Sequence, residues 1–173
     1  MKQSKGSKDV TNLMSDPMRY MPFMIQSGNP EMVKSIIDKV DLISYGAELM
    51  YLSCAMGKEQ FIDFFAEKGI DMLNPPERVR DDDAYRKSPY VLQAAKSGSI
   101  PAYEMVKKHG GNPHEHGWVC LSKKKKNIVN SNVIGCAAYN GKTAMLKYLL
   151  DKIPGAAREF EALEVQDKYS KTV

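Results

Sequence analysis

A pattern punctuated by glycine occurs four times along this chain of 173 residues and limits what the chain can fold into. Each copy has an apolar segment of helical length, a glycine, a second amphipathic segment and a loop. The first segments, each ending in its glycine, are residues 19–28, 48–57, 89–98 and 132–141. Glycine ends a helix in the left-handed conformation without the steric cost that other residues incur. The pattern therefore predicts a repeat of helix pairs, each pair turning at a glycine.

The second segment of each copy has the apolar spacing of a helix that is buried on one side. Phe61, Phe64 and Phe65 fall at positions i, i+3 and i+4, which places them on one helical face. The fourth copy repeats this spacing with Met145, Tyr148 and Leu149. Small residues in the first segments allow neighbouring helices to approach closely, namely Ala94, Ala95, Ala137 and Ala138.

The pattern resembles that of ankyrin repeats over residues 16–154. The most recognisable match is the Ala-Ala-x-x-Gly ending of the first helix, at 94–98 and 137–141. A glycine followed by Asp or Asn after the second helix also matches, at 69–71 and 110–112. The resemblance implies a curved solenoid in which β-hairpin fingers and first helices line a concave binding face.

The chain departs from the typical ankyrin pattern in three ways. The Thr-Pro-Leu-His opening is absent, and its nearest counterpart, Ser88-Pro89, is one residue out of register. Met24-Ile25 and Ser53-Cys54 replace the alanine pair in the first two copies. The four turn glycines are 29, 41 and 43 residues apart, against a family period of roughly 33. The two longer intervals therefore contain insertions.

These features predict an all-α fold, a helical-repeat solenoid with short or irregular β-hairpin fingers and two long insertion loops. Residues 1–15 form a flexible N-terminal segment, and 16–155 form one domain of about four helix pairs. Residues 156–173 are expected to form a terminal helix and either the start of a further repeat or an irregular cap. A fragment of a longer array is slightly favoured, because no polar terminal cap is obvious.

The second insertion contains the only tryptophan of the chain, Trp118, within an apolar stretch, 117–122, that favours a hairpin strand. It also contains four consecutive cations, Lys123, Lys124, Lys125 and Lys126. An aromatic side chain beside cations suits a protein-interaction hot spot, and it suits an anionic surface equally well. Alternatively, Trp118 anchors the finger while the lysines stay in solvent.

Charge and composition favour an intracellular, soluble protein in the cytoplasm. The net charge of +4 equals the charge of the lysine run, so the remaining chain is neutral overall and nucleic-acid binding is unlikely. No apolar run approaches the roughly 18 residues that a membrane-spanning helix needs, and the N-terminus does not resemble a signal peptide. Three cysteines, Cys54, Cys120 and Cys136, form neither a zinc pattern nor a disulfide framework.

Two motifs suggest chemistry, but both are incomplete. Residues 141–143, Gly-Lys-Thr, lack the correctly spaced glycine and the preceding strand of a phosphate-binding loop. His109, His114, His116 and Cys120 lack the paired spacing of zinc ligands. No catalytic constellation is recognisable, so we expect no enzymatic activity, no cofactor and no metal.

The sequence therefore predicts a non-catalytic interaction module or scaffold that binds a partner protein through its concave face and loop tips. The expected contact residues are Gln26, Lys96, Tyr139 and Asn140 near first-helix ends, with Trp118 and the lysine run 123–126. One alternative is an architectural subunit of a large intracellular assembly. A second alternative is an anion or nucleic-acid binder that uses the lysine run.

Overall fold

The computed structural model describes residues 16–72, 88–122 and 127–155, and this part of the chain is mostly helical. The predicted all-α class is confirmed at this level. The described α-helices are α1 (Met21–Ser27), α2 (Pro30–Lys34), α3 (Leu42–Ala55), α4 (Glu59–Glu67), α5 (Tyr90–Ser97), α6 (Ile100–Lys108), α7 (Val133–Tyr139) and α8 (Thr143–Lys152). Short 3-10 turns at Pro17–Arg19 and Ile37–Lys39 flank the first pair. The expected terminal segments 1–15 and 156–173 lie outside the described residues.

Local side chains define where several helices begin. The carboxylate of Asp41 accepts hydrogen bonds from the backbone N–H groups of Ile43 and Ser44 at the start of α3. Ser99 and Asn132 cap α6 and α7 in the same manner. Each cap satisfies a backbone donor that has no partner within the helix. The polar residue before each of these three helices therefore stabilises its first turn.

The four turn glycines all adopt the predicted left-handed conformation. Gly28, Gly57, Gly98 and Gly141 have φ angles of 77°, 67°, 84° and 64°. Each lies between the two helices of one pair, so the predicted helix ends are confirmed.

Helix pairs pack against one another in chain order. Successive first helices are in contact, α1 with α3, α3 with α5 and α5 with α7. The second helices α4 and α6 also contact each other, and each first helix packs on its own second helix. The buried apolar side chains of these helices form one core cluster.

Each of the first three turn glycines lies close to the side chain of the residue that follows the next turn glycine. A Cβ placed on Gly57 would lie 2.7 Å from Cβ of Ser99, the residue after the next turn glycine. A Cβ on Gly98 would likewise lie 2.7 Å from Cδ of Lys142, and one on Gly28 would lie 3.3 Å from Nζ of Lys58. Each turn therefore packs closely on the first residue that follows the next turn.

The predicted apolar faces of the second helices form part of the core. Phe61 and Phe65 are fully buried with ring centroids 6.4 Å apart, and Phe64 is half-buried beside them. Met145 and Leu149 are fully buried in α8, and Tyr148 packs at the edge of the core. The helical spacing in the sequence thus identified the buried side correctly.

The second insertion contains an antiparallel hairpin of β1 (Gly117–Ser122) and β2 (Asn127–Ser131). The predicted strand at 117–122 is confirmed. The hairpin packs on α5 and α7, and Val119 and Ser131 are buried among its described side chains. A Cβ on Gly117 would lie 2.5 Å from Cδ of Pro89, so only glycine allows this approach. The first insertion, 73–87, lies outside the described residues.

We expect Gly57→Ala to destabilise the fold more than Gly141→Ala. Both substitutions place alanine at a positive φ, which costs about 1–2 kcal/mol. Only the Cβ at residue 57 also meets Ser99, whereas the Cβ at residue 141 has no neighbour within 4 Å among the described residues. Overpacking of that kind adds about 1–3 kcal/mol. Urea unfolding of both variants measures the difference, and equal losses of stability would contradict the contact.

We also expect two of the three cysteines to be unreactive in the folded protein. Cys54 and Cys136 are fully buried and are not bonded in a disulfide. Burial raises the pKa of the Cys54 thiol well above its usual range and that of Cys136 to about 12. In a Cys120→Ser variant, a thiol reagent should label neither cysteine before denaturation and both afterwards. Rapid labelling under native conditions would disprove this burial.

Candidate functional site

Three of the predicted contact residues occupy the same position in different helix pairs. Gln26, Lys96 and Tyr139 each stand two residues before a turn glycine, and Ala55 is their counterpart in the second pair. We call these four residues the helix-end row. Because successive first helices are in contact, neighbouring members of the row are separated by about one interhelix distance, roughly 8–10 Å.

Most of the helix-end row is accessible to solvent. Gln26 and Ala55 are exposed, and the side chain of Tyr139 is 48% exposed. Lys96, which was expected to be exposed, is half-buried. Burial raises the pKa of the Cys136 thiol, and the positive charge of Lys96 partly offsets this rise. Lys96 therefore lies near α7 rather than extending fully into solvent.

Asn140 has an internal role in the structure. It is half-buried, and its Nδ2 donates a hydrogen bond of 2.8 Å to the backbone oxygen of Cys136. This bond satisfies a carbonyl near the C-terminal end of α7. The expectation that Asn140 is exposed is therefore wrong.

Trp118 lies on the outer side of the hairpin. It pairs across the strands with Asn130, which is also exposed, while Val119 and Ser131 are buried on the opposite side. The indole is 40% exposed, so part of it packs on the protein and part faces solvent. Val119, rather than Trp118, is the fully buried anchor of β1. The lysine run, Lys123 to Lys126, lies outside the described residues.

One charged cluster joins the second and third helix pairs. Oδ1 of Asp63 in α4 accepts from Nζ of Lys108 at 2.8 Å and lies 2.7 Å from Nε2 of His109. The hydrogen bond from Lys108, and then that from His109, lowers the pKa of the Asp63 carboxyl. Sequence analysis missed this cluster because its members are 45 and 46 residues apart and share no motif.

A second polar cluster joins α6 and α8. The Tyr148 hydroxyl donates to Oε1 of Glu104 at 2.6 Å, and Nζ of Lys107 donates to the same oxygen at 3.1 Å. Burial alone would raise the pKa of Glu104, but these two hydrogen bonds lower it overall. Tyr103 and Tyr148 also meet edge to face, with ring centroids 6.3 Å apart. Polar and aromatic contacts thus reinforce this junction.

The two motifs that suggested phosphate or metal binding lie in other structural surroundings. Gly141, which opens the Gly-Lys-Thr segment, follows the helix α7 rather than a strand. The His109 ring is engaged with Asp63. Within residues 16–72, 88–122 and 127–155, no group of three His, Cys, Asp or Glu side chains is placed to hold a metal ion.

A shallow cleft of about 280 Å³ lies between the start of α3 and the end of α4. Apart from Lys68 and Asp71, its lining is aliphatic or glycine. Ile43 at its rim is 99% exposed. The cleft therefore offers an open apolar surface rather than an enclosed site.

Comparison with known proteins assigns no family, since neither a protein-family model nor a curated protein matches this chain. Within the described part of the chain, every helix is too short or too polar to cross a membrane.

We expect Asp63→Asn to weaken the fold at neutral pH, and the effect to disappear in acid. The pKa of Asp63 is lowered in the folded state, so its contribution is present above its unfolded pKa of about 3.9 and lost as the pH falls through the lower folded value. The side chain is 31% exposed, which limits the contribution to about 1 kcal/mol.

Urea unfolding at pH 7 and at progressively lower pH tests this prediction. Glu67→Gln, a neutralised exposed acid on the same helix, is the matched control. Equal losses of unfolding free energy at pH 7 would show that the contacts of Asp63 with Lys108 and His109 do not stabilise the fold.

Proposed function

We propose that this chain is a non-catalytic interaction module of the ankyrin type, a solenoid of stacked helix pairs that binds a partner protein in the cytoplasm. Its binding surface consists of the helix-end row and the outer side of the hairpin that carries Trp118. The ankyrin assignment rests on the sequence resemblance, and the binding surface rests on which side chains remain exposed.

The observation that carries this proposal is the repeated junction at the turn glycines. Lys58, Ser99 and Lys142 each follow a turn glycine directly, and each lies close to the turn glycine of the preceding helix pair. Repetition of one contact supports a stack in which every pair has the same relation to the next. Such a stack would align equivalent positions along one side, and Gln26, Ala55, Lys96 and Tyr139 are equivalent positions in the sequence.

The chemistry of the surface favours a protein as the ligand. Trp118 and Tyr139 expose large aromatic side chains, the residue types that contribute most at protein interfaces. Both side chains are also partly packed on the protein, so binding would cost little additional side-chain entropy.

An architectural subunit is the second candidate, and exposed aliphatic and aromatic residues outside the binding surface favour it. Ile43 is 99% exposed and Phe23 is 68% exposed. Permanent interfaces are more apolar than transient ones, so a subunit held in an assembly would cover such residues. That candidate predicts a partner that remains bound when the helix-end row and Trp118 are altered.

The test is capture of partners from cell extract with Trp118→Ala, Tyr139→Ala and a variant with lysines 123–126 replaced by alanine. We expect a stoichiometric protein that survives moderate salt and is lost with Trp118→Ala. Truncation of a hot-spot aromatic costs about 2 kcal/mol or more, a loss of affinity of roughly thirtyfold. Leu150→Ala is the control, because Leu150 is exposed on α8, outside the proposed surface.

Because Trp118 is the only tryptophan, its fluorescence reports directly on the hairpin once the partner is purified. A blue shift on binding is expected as the indole loses water. An unchanged spectrum with a bound partner would place the site elsewhere. Binding only to nucleic acid, abolished by salt and by the lysine replacement, would instead support the anion-binding alternative.

A further inference from the structure

The lysines in the described part of the chain differ in how far their side chains are exposed. Most are exposed, but four are half-buried, namely Lys58, Lys96, Lys107 and Lys142. Lys107 has an acidic partner, because its Nζ donates to Oε1 of Glu104 at 3.1 Å. The other three lie within two residues of a turn glycine. We call Lys58, Lys96 and Lys142 the turn lysines.

Two of the turn lysines lie across the turn of the preceding helix pair. A Cβ on Gly28 would be 3.3 Å from Nζ of Lys58, and a Cβ on Gly98 would be 2.7 Å from Cδ and 3.1 Å from Cγ of Lys142. These contacts restrict where each ammonium group can go. An ion pair formed by such a side chain loses less conformational entropy than one formed by a fully exposed lysine.

Negative charge is scarce around the turn lysines. Glu59 is the only acidic residue within two positions of a turn glycine. No carboxylate of the described residues lies within 4.0 Å of Nζ of Lys58 or Lys142. A partly buried cation has lost some of its hydration, and a carboxylate that binds to it replaces the lost interaction. The turns therefore favour a carboxylate supplied by a second molecule.

The turns lie at the opposite end of each helix pair from the points where the segments outside the described residues are attached. Residues 73–87 connect the end of α4 with the start of α5, and 123–126 connect the two strands. Residues 1–15 precede α1, and 156–173 follow α8. Each of these segments thus joins the described chain away from the turn glycines.

We propose that the turn lysines bind an acidic segment of the partner protein. The inference rests on the proposed function, since Lys96 belongs to the helix-end row and Lys58 and Lys142 lie three residues beyond other members of that row. Lys58 lies at the first turn and Lys142 at the third, two interhelix distances apart, or roughly 16–20 Å. An extended chain covers that distance in about five or six residues. The expected segment therefore carries two carboxylates at about that spacing.

The number of cations favours a protein segment over nucleic acid. Nucleic-acid binding needs a stripe of cations that neutralises successive phosphates, whereas Ser99 and Glu59 interrupt the lysines at the turns. Exposed amide and hydroxyl side chains lie at the same turns, such as Gln26 and Thr143, and these groups can hydrogen-bond a peptide backbone. An acidic peptide therefore matches the turns better than a nucleic acid does.

The test measures binding of a fluorescein-labelled decaglutamate peptide to the full chain at low salt. Every protein in the test carries alanine at 123–126, so that the lysine run cannot bind the peptide. Lys58→Gln combined with Lys142→Gln should raise the dissociation constant about tenfold, because two ion pairs are lost. The matched control is Lys34→Gln combined with Lys147→Gln, at two exposed lysines of the second helices. The control should change the dissociation constant less than about twofold.

Further measurements locate the bound peptide and check the fold. Amide chemical shifts of the isotope-labelled chain should change most at the turns, at Gly28 and Gly98 among others. Lys58→Arg combined with Lys142→Arg should retain binding, because arginine keeps the positive charge. Circular dichroism and urea unfolding should be unchanged in the glutamine variant, which separates a loss of binding from a loss of the fold.

Three results would overturn the inference. The first is a decaglutamate peptide that does not bind, and the second is an equal loss of binding in the glutamine variant and its matched control. The third is a short oligothymidylate of similar charge that binds more tightly than the peptide. A captured partner that needs Trp118 but not the turn lysines would support the proposed function and contradict this inference. The proposed function fails instead when no partner is captured, whatever the peptide does.

Discussion

Close packing of each turn against the next organises the rest of this structure. A left-handed glycine ends the first helix of a pair, and its missing side chain admits the residue that follows the next turn, as at Gly57 and Ser99. A β-carbon on Gly57 would lie only 2.7 Å from Cβ of Ser99, so one of the two turns would have to shift. That approach brings successive first helices into contact and lets small residues such as Ala95 and Cys54 become fully buried.

Repetition of one junction divides the surface of the molecule into regions with different uses. Met145 in the fourth pair is fully buried, whereas Met32, at the equivalent position of the first pair, is 42% exposed. Of the positions two residues before the turn glycines, Gln26, Ala55 and Tyr139 are exposed and Lys96 is half-buried. The hairpin covers parts of α5 and α7 and adds Trp118 to the accessible side. One packing rule thus accounts for the core, the ends and the proposed binding side.

Polar contacts strengthen individual junctions without being repeated. Asp63 meets Lys108 and His109 between the second and third pairs, whereas Glu104 meets Tyr148 between the third and fourth. Each carboxylate accepts two hydrogen-bonding groups, which lowers its pKa. Each cluster joins one particular helix pair to its neighbour. If two helix pairs changed places, the carboxylates would lose these partners.

The sequence by itself determined the helices, their glycine ends, the buried side of α4 and α8 and the strand at 117–122, because those features depend on residues close together in the chain. It also identified Gln26 and Tyr139 as exposed. Only the tertiary structure decided that Asn140 bonds internally, that Asp63 meets His109 and that Met32 is exposed while Met145 is buried. These outcomes depend on which helix pair lies alongside, and local periodicity carries no information about that neighbour.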